Sequence, residues 1–316
     1  MNRPRRRCLH PLLILIGCVA PAGSGCSIAD LQTADRMDRG LVIILPGIEG
    51  RSRWNLDLAR GLDEGGVDLG IEIYDWGTAV PFGLLINLTD KARNRRVATE
   101  LSRRILRYRA KHPGRPVHLI GHSGGAGVAL MAVEALPAEA RVTSVILLAA
   151  AVSPNLDLRR TLRRTEHGVY NYYSDRDIGY LKLGTSMFGT MDRRYGPSAG
   201  AVGFRKPRFF KGADDALYDK LHAIRWRPAM RRYGHDGGHT DWTGRPFVRH
   251  YLAPLIRSLS AGPRGVEPAN PPHPERRAQN AAPPPARLPD ESPRQRHLPH
   301  QPVVSAGSGD RSLHRK

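Results

Sequence analysis

Short apolar runs alternate with amphipathic stretches from residue 41 onward. The runs at 41–45, 70–75, 117–120, 142–149 and 169–173 are rich in Val, Ile, Leu and Tyr, and each is bounded by turn residues. They predict strands, and their nearly continuous apolar character predicts a sheet covered on both faces. Helical periodicity falls between them, at 55–62, 92–110, 125–136 and 156–163. In the longest of these, Val97, Leu101, Ile105 and Tyr108 recur at helical spacing, whereas Arg95, Arg96, Arg103 and Arg107 fall on other faces. Glu100 and Arg104 stand at the i, i+4 spacing of a surface pair. Another short strand is expected at 228–233, before a closing helix at 247–259. Strands that alternate with helices predict an α/β fold with a mainly parallel central sheet, flanked by helices on both faces.

Two regions break this order. Residues 179–215 hold Gly, Tyr, Phe and Arg with little periodicity, which suits either part of a lid or substrate wall or an irregular surface excursion. Beyond Ser260 the composition turns to Pro, Arg, Gln and Ala, so 262–316 is expected to be a disordered tail. No internal repeat is visible.

Residues 1–26 have the form of an export signal. Arg3, Arg5, Arg6 and Arg7 precede an apolar run at 12–20, and small residues follow. The run is too short to span a bilayer comfortably, so the expectation is cleavage and export. Leu15-Ile16-Gly17-Cys18 resembles a bacterial lipobox, with Cys18 as the lipidated residue and Cys26 as a weaker second candidate. A cell-envelope lipoprotein and a freely secreted protein both fit, with a folded body at 27–261. All three cysteines (Cys8, Cys18 and Cys26) lie in this leader. The body therefore has no disulfide, no thiolate metal site and no cysteine nucleophile.

The net charge of +20 raises the question of a polyanionic partner. Its distribution argues against nucleic acid. Part of the charge lies in the leader and the tail, the helix at 92–110 carries its arginines on solvated faces, and no basic groove with interleaved aromatics is evident.

The chemistry concentrates at Gly121-His122-Ser123-Gly124-Gly125, a G-x-S-x-G between a predicted strand and a small-residue helix. A serine between glycines at such a turn is lifted above the sheet, and the helix N-terminus sets N–H groups beside a developing oxyanion. The glycines do not make G-x-G-x-x-G, the next strand ends in three alanines with no acidic residue for a ribose, and there is no G-K-[ST]. Neither a dinucleotide nor a P-loop phosphate is expected, so no cofactor is called for.

A serine needs a base, and the base needs an acid to orient it. Asp177 and Asp175 follow the strand at 169–173, and His239 stands in Gly237-Gly238-His239-Thr240 before the closing helix. His235 and His239 have the i, i+4 spacing of a metal pair. That spacing needs a helix, which Gly237-Gly238 opposes, and no third ligand stands out. No metal site is expected. His122 is read as flanking the pocket.

With these motifs in the order serine, acid, histidine, the body from about residue 40 to 260 resembles the α/β-hydrolase fold in its lipase/esterase-like branch. The resemblance implies Ser123 as nucleophile, Asp177 as acid with Asp175 as the alternative, and His239 as base. Pro46-Gly47-Ile48-Glu49-Gly50 resembles the H-G loop after an early strand, with Pro46 in place of the commoner His. On that likeness the N–H groups of Ile48 and Gly124 form the oxyanion hole, and the substrate is a small-molecule or lipid ester. A reading of another class is a surface-anchored binding or scaffold protein that keeps the fold without the chemistry.

Overall fold

A computed structural model of the protein describes residues 28–78, 86–87, 89–177, 190–192, 194–207 and 212–261. The expected leader, the tail at 262–316 and much of the irregular stretch at 179–215 lie outside the described residues. Six strands, β1 (Leu41–Leu45), β2 (Gly70–Ile73), β3 (Val117–His122), β4 (Ser144–Leu148), β5 (Val169–Tyr173) and β6 (Leu221–Arg225), form one sheet in the order β2-β1-β3-β4-β5-β6. Every neighbouring pair is parallel. The four principal helices are α1 (Arg53–Glu64), α2 (Lys91–Lys111), α3 (Gly124–Glu134) and α4 (Ala253–Ser260).

Side chains alternate across each strand and feed two cores. Leu41, Ile43, Leu45, Leu119, Val145 and Leu147 face the side covered by α2 and α3. Val42, Ile44, Ile120, Ile146 and Leu148 face the side covered by α1 and α4. Both faces are therefore dry, which is why these strands read as continuous apolar runs rather than alternating ones. The chain order also fixes where a ligand belongs. From β1 the chain runs outward to β2 by way of α1 on one face, and from β3 it runs the other way by way of α3 on the other face. The loops leaving β1 and β3 thus part at their carboxyl ends, and such a switch point opens a crevice there.

The differences from the sequence expectation have local causes. The sixth strand lies at Leu221–Arg225 and not at 228–233, where Pro228 opens a 3-10 helix, Pro228–Tyr233. Proline fixes its φ and has no N–H to give a ladder. The expected helix at 156–163 shrinks to Arg159–Arg163, and the closing helix is divided into Arg245–Phe247, a π turn Val248–Leu252 and α4. On α2 the core face is as expected, with Leu101, Ile105 and Tyr108 buried and Arg95, Arg96, Arg103 and Arg107 exposed. Arg104, however, binds Glu72 on β2 rather than pairing with Glu100, its Nε lying 2.9 Å from Glu72 Oε2.

Four histidines, His118, His122, His235 and His239, are buried in this frame. His118 on β3 links Ser144 Oγ on β4 (2.8 Å) to Ser260 Oγ at the end of α4 (2.9 Å). Burial pushes His118 and His122 down to about 3 and His235 down to about 4. All three are neutral when folded, whereas the unfolded chain takes up their protons near the ordinary value of 6.5. Their contribution to stability is therefore full above about pH 6.5 and is lost as the pH falls, toward 4 for His235 and toward 3 for His118 and His122, at up to about 1.4 kcal/mol per pH unit for each histidine. Denaturant unfolding should show a clearly lower midpoint at about pH 5 than at about pH 7. Equal midpoints would contradict the neutral burial.

Candidate active site

Ser123 lies between β3 and α3, at the N-cap of the helix. Its φ of 52° and ψ of −118° put a non-glycine residue in a sparsely populated region. The strain is held by β4: Ser123 N donates to Leu148 O at 2.9 Å, and Ala151 N donates to Ser123 O at 3.0 Å. The flanking glycines are required by close approach. A methyl at Gly121 would lie 2.6 Å from Ala126 Cα, and one at Gly125 would collide with the carbonyl oxygens of Leu45 and Pro46. This turn can form only with the small residues that the pentapeptide supplies.

The expected acid and the expected base lie on two loops that touch each other. His239 Nδ1 lies 2.6 Å from Asp177 Oδ2, and both side chains are nearly fully buried. An ionised carboxylate only accepts, so Nδ1 carries the proton and Nε2 is left as the proton acceptor. The Asp177 turn is joined to the His239 loop by Arg176, whose Nε donates to Asp236 O at 3.1 Å. Gly237, with φ of 97°, lets the loop fold back, and its N–H donates to His235 Nδ1 at 3.0 Å. Asp241 Oδ2 accepts from Asp236 N at 3.0 Å and from Gly238 N at 2.8 Å. Asp175 is turned the other way and meets Arg225 Nη2 at 2.7 Å on the surface.

His122, next to the serine, reaches the base directly. Its Nε2 lies 3.1 Å from the carbonyl oxygen of His239, and the two rings are 4.9 Å apart. A carbonyl only accepts, so His122 Nε2 carries the proton, in keeping with a ring that burial holds neutral. This bond brings the His239 loop against the Ser123 turn. The two histidines at i, i+4 spacing are used separately, His235 within its own loop and His239 on Asp177.

The loop after β1 meets the start of α3. A methyl on Gly124 would lie 2.6 Å from Ile48 Cγ2 and 3.5 Å from Ile48 N, so the two expected oxyanion donors are neighbours. Gly124 begins its helix and has no intrahelical acceptor for its N–H. Two side chains hold the loop by its carbonyls: Trp76 Nε1 donates to Pro46 O at 2.7 Å, and Asn87 Nδ2 donates to Ile48 O at 2.8 Å. Neither Trp76 nor Asn87 was expected from sequence, because nothing in their spacing signals a bond to a distant backbone carbonyl. A cavity of about 690 Å³ lies beyond β4, lined by Ser153, Asn155, Asp192, Arg194 and Arg205 among others. Ser123, Asp177 and His239 do not line it.

A parallel sheet in this order, with a strained serine after β3, a carboxylate after β5 and a histidine before the last helix, is the α/β-hydrolase fold. No family model and no curated protein matches the chain. Among solved structures it is similar to esterase PE8, at 16% identity over 70% of this chain and 93% of that one, with a TM-score of 0.42. It is also similar to an α/β serine hydrolase without lid from Xanthomonas campestris, at 18% identity over 72% and 86%, with a TM-score of 0.41. A cutinase-like protein from Cryptococcus sp. matches at 16% identity over 70% and 95%, with a TM-score of 0.35.

Proposed function

We propose that the protein is a serine hydrolase that cleaves carboxylic esters through an acyl-enzyme. In this reading His239 Nε2 takes the proton of Ser123 as Oγ attacks the acyl carbon. Asp177 holds the imidazole in the required tautomer and balances the imidazolium that forms. The N–H groups of Ile48 and Gly124 receive the oxyanion, and such preorganised donors are typically worth about 3 kcal/mol each in the transition state. The imidazolium then protonates the leaving alcohol. Water, deprotonated by the same histidine, releases the acid and regenerates Ser123.

The observation that carries the reading is the 2.6 Å bond from His239 to Asp177, on a loop tied through His122 to the serine turn. The backbone strain at Ser123 supports it too. Such strain costs roughly 1–3 kcal/mol and persists where surrounding structure imposes it, most often at sites of chemistry. A scaffold without chemistry has no use for it. The purified protein should hydrolyse short-chain nitrophenyl esters with saturation kinetics. Absence of turnover on every short activated ester would contradict the reading.

A further inference from the structure

The proposed chemistry leaves one carboxyl of the site without a task. Glu49 directly follows Ile48, and its side chain folds back over Gly47. A methyl on Gly47 would lie 2.9 Å from Glu49 Cδ and 3.0 Å from Oε1, so the carboxyl occupies the space that the glycine leaves. The turn beneath it is closed by Gly50 N donating to Gly47 O at 3.1 Å. Glu49 Oε1 is buried and has no hydrogen-bond partner among the described residues. Burial pushes the pKa of this carboxyl up, against the opposing pull of its own N–H, of the charge on His239 and of the Gly47 N–H. This carboxyl therefore lies within electrostatic reach of His239.

A desolvated carboxylate with an unused acceptor is costly, and a cation that arrives with a ligand recovers that cost. Asp177 cannot serve in this way, because its charge is already answered by His239 at 2.6 Å. Glu49 directly follows the expected oxyanion donor Ile48 in the chain, and it lies within electrostatic reach of His239.

We propose that Glu49 makes the site selective for charge: esters that carry a cationic group near the scissile bond are preferred over neutral esters of the same shape. The proposal rests on the serine-hydrolase reading, and Glu49 acts in it as a recognition residue.

The test compares matched substrates at about pH 8, well above the ordinary carboxylate range. One pair is choline acetate and its carbon isostere, in which a tert-butyl group replaces trimethylammonium. The other pair carries the same exchange at the end of the acyl chain of a nitrophenyl butyrate. For at least one pair the wild type should favour the cation in kcat/KM by about tenfold, a factor within reach of one nearby charge at an effective dielectric of about 20. Glu49→Gln should bring that ratio to near one, Glu49→Asp should keep it above one, and Glu49→Ala serves if the glutamine variant does not fold. A ratio near one in the wild type for both pairs, or a ratio that Glu49→Gln leaves unchanged, overturns the proposal. Labelling of Ser123 by a fluorophosphonate, run alongside, separates the two failures. A labelled enzyme without charge preference removes the role of Glu49 alone. An unlabelled folded protein removes the hydrolase reading and this proposal with it.

Discussion

Ser123→Ala is expected to lower kcat for ester hydrolysis by at least about 10⁴-fold while leaving the melting temperature within a few degrees. The two halves of this expectation have different physical origins. Removing Oγ removes the atom that becomes acylated, so no covalent intermediate can form. Alanine carries the same Cβ and meets the same φ of 52°, so the strained turn and its bonds to Leu148 and Ala151 are unchanged. His239→Ala should cause a loss of similar size, and combining the two should add little, because nucleophile and base act as one unit. Steady-state kinetics on a short nitrophenyl ester, with thermal melts of each variant, provide the check. A Ser123→Ala enzyme that retains more than about a hundredth of wild-type turnover would place the chemistry elsewhere.

The second large effect separates two aspartates that stand two residues apart. Asp177→Asn is expected to lower kcat by about 10⁴-fold, because the amide can donate to His239 Nδ1 and hold the imidazole in the wrong tautomer. It also removes the charge that balances the imidazolium. Asp175→Asn should leave kcat within about twofold, since its carboxylate faces away from His239 and meets Arg225 across an exposed ion pair of the kind worth about 1 kcal/mol or less. Parallel kinetics of the two variants decide the matter. A large loss in Asp175→Asn with a small one in Asp177→Asn would reverse the assignment.

That contrast marks where the sequence stops being legible. The serine turn can be read directly, because the close approaches at Gly121, Gly124 and Gly125, though two of them come from the distant β1 loop, all leave their mark within one pentapeptide. The acid cannot be chosen in the same way. Asp175 and Asp177 lie in one short turn, and what separates them is Arg225 on β6 for the first and His239 for the second. Strands β1, β3 and β4 are legible because both of their faces are buried, which leaves unbroken apolar runs. Strand β6 is half exposed and reads Leu-His-Ala-Ile-Arg, so it resembles a loop, whereas the apolar residues near Met230 belong to a 3-10 helix. The anchors of the oxyanion loop leave no trace at all. Trp76 reaches back 30 residues to Pro46 O, and Asn87 reaches back 39 residues to Ile48 O. Side chains that bind backbone carbonyls at such separations follow no repeat. The same holds for His122, whose bond to the carbonyl of His239 spans 117 residues.

The proposed acyl-enzyme depends on one property above all others, a Ser123 hydroxyl made nucleophilic by His239. Reaction of the purified full chain with a fluorophosphonate probe measures that property without a known substrate. The wild type should become covalently labelled at Ser123, whereas Ser123→Ala and His239→Ala should not be labelled. A folded wild type that takes up no probe, or a Ser123→Ala variant labelled as fast as the wild type, would contradict the account.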